Sequence, residues 1–219
     1  MLTLKSIIDS KALFFDFDGV IKDSVELKGN AFEQLFLPEG KGIGERVRLH
    51  HESNGGMSRY EKLVLYLGWA GLPSDGAMLK EYSLRFSGLV KQRVIHSDWV
   101  PGVETYLHKN SFEKILFIIT ATPQSEIDEI IDAIGLKQCF TEVIGAPTMK
   151  EEAIHQLLKQ YNINAGSSAM IGDSITDYLA ALKNKVPFVL RKTNLNQSLQ
   201  NRLKCPMIND FLGLNKGTI

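Results

Sequence analysis

Cysteine is nearly absent from this chain of 219 residues: two occur, Cys139 and Cys205, far apart and without C-x-x-C spacing. That argues against a disulfide framework and a cysteine-built zinc site, and it fits a reducing cytoplasm. An excess of either charge is missing too. Lysine plus arginine equal aspartate plus glutamate at 25 each, so no global field draws nucleic acid or an anionic membrane surface. No apolar run approaches the ~20 residues that cross a bilayer. The opening stretch, MLTLKSIIDSK, is too short and too polar for a secretion signal. Repeats and low-complexity tracts are lacking, and oligomeric state leaves no mark. The expectation is a cytoplasmic protein with no nucleic-acid or membrane partner, long enough for one large domain or a core with a smaller insert.

What is present is alternation. Short apolar runs at Ala12–Phe15, Lys114–Ile119, Glu142–Ile144, Ser168–Ile171, Pro187–Leu190 and Met207–Ile208 read as strands, and helical patterns over 101–109, 123–134, 149–161 and 175–184 lie between the later ones. Residues 23 to 95 differ: they read as helices at Val25–Phe36, Ile43–Glu52, Ser58–Leu67 and Asp75–Val94, separated by Pro38-Glu39-Gly40, Asn54-Gly55-Gly56 and Gly71-Leu72-Pro73. Continuous apolar strands alternating with helices predict a parallel sheet covered on both faces. The expected fold class is therefore α/β, a Rossmann-like core of residues 1–22 and 97–219 with a helical insert, 23–96, after the first strand.

Ligands of such sheets bind beyond the carboxyl ends of the strands, and polar groups collect there. The run ALFF ends in Asp16 and Asp18, one residue apart and followed by Gly19. A turn is the bland reading. If strand geometry persists through Phe17, however, both carboxylates share a side, and such a pair needs a neutralising cation or divided acid and base roles. Thr120 follows ILFII, where a threonine is also ordinary, and Thr122 before Pro123 reads as a helix cap. Thr148-Met149-Lys150-Glu151 has the capping-box pattern. It puts the Lys150 cation in a first helical turn against the helix dipole, as either a solvated lysine or one that meets an anion. In Gly172-Asp173-Ser174-Ile175-Thr176-Asp177 the second carboxylate could be the third-position partner of a Ser174 cap, but Asp173 has no such explanation.

DFDGV at 16–20, the strand-ending Thr120, Lys150 heading a helix and GDSITD at 172–177 together resemble the four motifs of the haloacid dehalogenase superfamily. The likeness spans essentially the whole chain, and the insert is similar to the C1 cap of the phosphoglycolate phosphatase and β-phosphoglucomutase branch. One departure is that the third motif reads Met149-Lys150-Glu151 without the Lys-Pro common in that branch. Lys150 is its best match and Lys137 a weaker one. The resemblance implies a phosphatase for a small phosphorylated metabolite, phosphoglycolate-like or sugar-phosphate-like. In it Asp16 attacks phosphorus to form an aspartyl-phosphate, and Asp18 acts as acid and then base. It further implies Mg²⁺ on Asp16, Asp173 and the carbonyl of Asp18, with Thr120 and Lys150 binding the phosphoryl oxygens and Asp177 orienting Lys150 or a metal-bound water. A phosphomutase would use the same Asp16, a dehalogenase would leave Asp18 without a task, and a non-catalytic binding module of this fold is the reading from another class.

Within the insert, Ser58-Arg59-Tyr60-Glu61 is a second capping box. Arg59 is expected either to face the active site and touch substrate, or to pair with a carboxylate such as Glu52 or stand solvated. His50 and His51 are adjacent and so diverge on a helix, which gives them no shared metal role.

Overall fold

The computed structural model describes Leu4 and residues 10–215. Most of the opening stretch weighed above as a signal, and the first residues of the expected core segment, lie outside the described residues. Six strands form one parallel sheet in the order β3-β2-β1-β4-β5-β6. They are β1 (Ala12–Phe15), β2 (Ile115–Pro123), β3 (Glu142–Ala146), β4 (Ser168–Gly172), β5 (Phe188–Arg191) and β6 (Met207–Ile208). Four helices run between β1 and β2 as the insert: α1 (Val25–Phe36), α2 (Lys41–Ser53), α3 (Arg59–Trp69) and α4 (Gly76–Ile95). Then come α5 (Val103–Asn110), α6 (Gln124–Ala133), α7 (Lys150–Gln160), α8 (Ile175–Lys183) and two short helices that the sequence reading omits, α9 (Gln197–Arg202) and α10 (Leu212–Asn215). At six and four residues, these two are too short to show a helical period.

Strand pleating divides the core. Leu13, Phe15, Leu116, Ile118 and Ile171 enter one apolar cluster, while Ala12, Phe14, Phe117, Ile119 and Met170 enter the other, with Ala153, Ile154 and Leu157 of α7. Both faces are thus buried, as a parallel sheet requires. The first cluster continues without a break into the insert through Phe32, Phe36, Tyr66 and Phe86, where the Phe32 and Phe86 rings stack at 3.8 Å.

Caps fix several helix starts. Ser58 and Glu61 form the expected box, Ser174 and Asp177 form another, and Asp75 accepts from the amides of Ala77 and Met78 at 3.0 and 2.9 Å. The Thr148 box does not form: Met149 occupies the cap position with no side-chain bond, and Lys150 is the first helical residue. Nor does Thr122 cap a helix. β2 continues through a register shift past Ile119 to Pro123, so the side chains of Thr120 and Thr122 belong to the strand end.

The two chain crossings between sheet and insert lie side by side. The Asp23 amide donates to the Asp98 carbonyl at 2.9 Å and the Val100 amide to Ile21 at 3.0 Å. Elsewhere a buried ion pair ties the insert down. Arg59 of α3 donates to Glu126 of α6 at 2.5 and 2.9 Å and to Ser87 of α4 at 2.6 Å. The expected partner Glu52 is instead taken by Arg48 at 2.9 Å. Removing one member of a buried pair strands the other charge, which costs about 3–5 kcal/mol. Burial alone would raise Glu126, but Arg59 holds it below its ordinary value. The stabilisation is therefore present above the ordinary glutamate range and lost as pH falls through the lowered value. Urea denaturation at pH 7 should show Arg59→Ala destabilised by about 3 kcal/mol or more, and the deficit should shrink in acid as Glu126 protonates.

Candidate active site

Of the expected site residues, all but Arg59 sit at the carboxyl edge of the sheet. Asp16 follows β1, whose pairing persists one residue further because the Asp16 amide donates to the Ile171 carbonyl at 3.0 Å. Asp173 follows β4 directly, Thr120 lies near the end of β2, and Lys150 opens α7. Asp16, Thr120, Lys150, Asp173 and Asp177 are all buried. Lys150 Nζ pairs with Asp16 at 2.8 Å and with Asp177 at 2.6 Å, whereas Lys137 is exposed on a single turn after α6. The Ser174 cap holds the second Asp177 oxygen at 2.6 Å, so Asp177 serves both as cap partner and as lysine partner.

Oxygen atoms of Asp16, Asp173 and Asp177 gather within 4.8 Å of one another. Three carboxylates against the one ammonium of Lys150 leave two negative charges. Burial, followed by the Asp177 charge, pushes Asp16 up to about 7 despite Lys150. Burial and then Asp16 and Asp177 push Asp173 well above the ordinary range. Burial works against the Lys150 charge too, but Asp16 and Asp177 outweigh it and hold the ammonium above its usual value. A divalent cation with hard oxygen preference fits this donor set and its net charge. At Gly19, with φ +75°, an added Cβ would lie 2.2 Å from Asp173 Oδ2; the backbone approaches the carboxylate as closely as it can.

Asp18 has a different environment. After Phe17 the chain turns, with the amides of Ile21 and Lys22 returning to the Phe17 carbonyl at 2.9 and 3.2 Å. The Asp18 side chain then meets Lys28 of α1 at 2.5 Å, Ser24 Oγ at 2.6 Å and Thr122 Oγ1 at 3.2 Å. Lys28 also donates to Thr122 at 2.9 Å. Burial alone would raise Asp18; the Lys28 charge and hydrogen bond outweigh it and hold the carboxylate below its usual value. Asp16 and Asp18 line one cavity of about 20 Å³, and each has its own lysine.

Sequence reasoning misses Lys28, Ser24, Thr122, Lys62, His51 and Asn196. Asn196, after β5, donates to the Asp173 carbonyl at 2.7 Å and to Arg191 at 2.9 Å. Lys62 donates to His51 Nδ1 at 2.9 Å inside the insert. A signal was available for the lysines: Lys28 falls within the stripe Val25, Ala31, Phe32, Leu35 of α1, and Lys62 within Arg59, Leu63, Tyr66 of α3. A charge at a core-facing helical position marks a buried site. Arg59 lines the cavity beside Asp18, but its terminal nitrogens are spent on Glu126 and Ser87.

Two larger clefts reach this edge from the surface. One, of about 250 Å³, runs to Asp173, and another, of about 380 Å³, runs to Thr120 and Lys150. Asn54, Gly56, Met57 and Thr176 line both, so the loop of the insert at 54–57 divides them. Among the described residues, no helix is long and apolar enough to cross a membrane.

The chain is similar to several known proteins. Phosphoglycolate phosphatase from Colwellia psychrerythraea is 27% identical over 184 residues, covering 79% of this chain and 80% of that protein. The phosphoglycolate phosphatase of Psychrobacter arcticus is 28% identical over 185 residues, 79% of each. Among solved structures, a putative phosphoglycolate phosphatase from Lactobacillus plantarum superposes with a TM-score of 0.75 at 15% identity, over 94% of this chain and 98% of that one. A β-phosphoglucomutase from Clostridium difficile does so at 0.70 and 21%, over 92% and 91%. The family model of haloacid dehalogenase-like hydrolases matches residues 13–190. The chain belongs to that family and is a hydrolytic enzyme of the haloacid dehalogenase-like fold.

Proposed function

We propose that the enzyme is a Mg²⁺-dependent phosphatase acting on a small phosphorylated metabolite, phosphoglycolate-like or sugar-phosphate-like, through an aspartyl-phosphate on Asp16. The observation that carries this reading is the pairing of two carboxylates with two different lysines, Asp16 with Lys150 and Asp18 with Lys28. It separates a nucleophile from a proton-transfer group within one cavity. The names of the curated relatives support the substrate class. Residues 23–96 would act as a cap on a core formed by 1–22 and 97–219. Because Asp16, Thr120 and Lys150 are buried, movement of the cap would widen the clefts that lead to them. The cytoplasm suits such a metabolite and leaves the thiols of Cys139 and Cys205 reduced.

Asp16 attacks phosphorus, so that its O–P bond forms as the bond to the leaving oxygen breaks. Asp18 gives that oxygen a proton. Water then attacks the aspartyl-phosphate, Asp18 takes its proton, and Asp16 is released with inorganic phosphate. The second half uses Asp18 in the ionised form that Lys28 favours, while the first requires the carboxyl to be protonated and the Lys28 contact loosened. Lys150 and the Thr120 hydroxyl bind phosphoryl oxygens and are fixed before charge develops. Asp177 keeps Lys150 in position. Asp16, Asp173 and the Asp18 carbonyl would hold Mg²⁺, which supplies positive charge to the phosphoryl oxygens.

Asp16→Asn should lower Mg²⁺-dependent turnover of an aryl phosphate by about a thousandfold or more, as loss of a nucleophile does. If free phosphate appears at the wild-type rate in this variant, the covalent route is wrong. Incubation with a hexose 1-phosphate separates a mutase, which yields isomer and little free phosphate. Gly19→Ala should move the Asp173 carboxylate and weaken Mg²⁺ binding by calorimetry, with kcat falling on the order of a hundredfold, the scale of a 1 Å misplacement. Unchanged Mg²⁺ affinity would argue that Asp173 is not a ligand.

A further inference from the structure

The insert contains a lysine that the proposed chemistry leaves unused. Lys62 is 2% exposed, and no ion pair to it is formed among the described residues. Its ammonium donates to His51 Nδ1 at 2.9 Å and approaches the Gly55 carbonyl at 3.5 Å. His51 Nε2, on the other side of the ring, is buried with no hydrogen-bond partner. Burial, followed by the Lys28 charge, pushes Lys62 down to about 7, the behaviour of a cation kept from water without a counter-ion. An uncompensated buried charge is costly and usually marks a place where a ligand supplies the missing partner.

Its position is specific. Lys62, Lys28, His51 and Arg59 line a cavity of about 30 Å³ beside Asp18. Asp18, Lys28, His51, Gly55 and Ala121 also line the cavity that holds Asp16 and Asp173. A phosphoryl group against Asp16 therefore has its leaving group directed past Asp18 toward the lysines of the insert. The space suits a group of a few heavy atoms, smaller than a second phosphate with its shell of oxygens.

We propose that Lys62, positioned by His51 and flanked by Lys28, is an anion subsite that binds a carboxylate on the leaving group, so that the enzyme selects short phosphorylated hydroxy acids over neutral esters of the same length. This rests on the phosphatase reading and deepens it. The terminal nitrogens of Arg59 do not contribute, since Glu126 and Ser87 occupy them. Lys62 contacts His51 and Gly55 within the insert, Lys28 is held by Asp18 and Thr122 of the core, and the carboxylate gains charge-assisted hydrogen bonds that an alkyl group cannot form.

The test compares 2-phosphoglycolate with ethyl phosphate, which has the same chain length and no carboxylate, using the full chain with Mg²⁺. Wild type should favour 2-phosphoglycolate in kcat/KM by at least tenfold, the scale of one charged hydrogen bond. Lys62→Met should bring that ratio close to one. The variant should keep or raise the thermal midpoint, because it removes a buried ammonium; if it does not fold, Lys62→Gln takes its place. A second measurement avoids turnover: in Asp16→Asn protein, 2-phosphoglycolate should raise the thermal midpoint more than ethyl phosphate does, and adding Lys62→Met should abolish the difference. If wild type hydrolyses both esters equally, or if the Lys62 variant keeps the preference, the subsite is wrong and the phosphatase reading stands. If wild type hydrolyses no phosphate ester, the phosphatase reading fails, and the thermal shifts alone then decide whether Lys62 binds a carboxylate.

Discussion

The ion pair that Lys150 makes with both Asp16 and Asp177 is the contact on which the site depends. Carboxylates this close and this buried repel one another and resist ionisation. One ammonium joins the segments after β1 and β4 to the start of α7, and it does so at a first helical residue, where a cation opposes the helix dipole. Local preference is overruled because the strands deliver two acidic groups to the same point. The Ser174 cap completes the arrangement by fixing the second oxygen of Asp177, so the helix start and the lysine compete for no atom.

Asp18 shows how proximity is made tolerable in another way. The turn at Phe17 and the positive φ of Gly19 aim its side chain at α1 of the insert rather than at Asp173. Lys28 then lowers one carboxyl while burial raises the other, and two chemically identical groups two positions apart are pushed in opposite directions. The ion-pair partner of Asp18 thus comes from the helical insert, which under the proposed mechanism would tie the insert to the acid-base chemistry. A motion that separates insert from core would alter Asp18 and the accessibility of Asp16 together.

The fold and the first two aspartates are legible because their signals are local. Apolar runs of two to six residues, capping boxes at Ser58 and Ser174, and carboxylates at strand ends each need only a short window. What stays hidden depends on contacts far apart in sequence. Thr122 reads locally as a cap before proline, yet β2 runs on and its hydroxyl meets Asp18, 104 positions away. Arg59 reads as facing substrate or as pairing with a nearby carboxylate such as Glu52, but Glu126 lies 67 positions later and claims it. Lys28 and Lys62 leave a trace as charges within apolar helical stripes, a pattern that says such a residue is buried without saying what it faces.

These hidden residues share an energetic character. Arg59 with Glu126 is a buried pair matched in charge, whereas the carboxylates around Lys150 outnumber its one ammonium and Lys62 has no ion-pair partner among the described residues. Opposite imbalances thus lie on the two sides of Asp18, one on the sheet edge and one in the insert. Each lowers the stability of the ligand-free chain, and each would be relieved by a species that binds the native state alone, which stabilises it by mass action. A divalent cation suits the first and an anion the second. The polarity of the cavity runs from sheet to insert, and with a divalent cation at the first side a phosphoryl group held at Asp16 would point a second negative group toward Lys62.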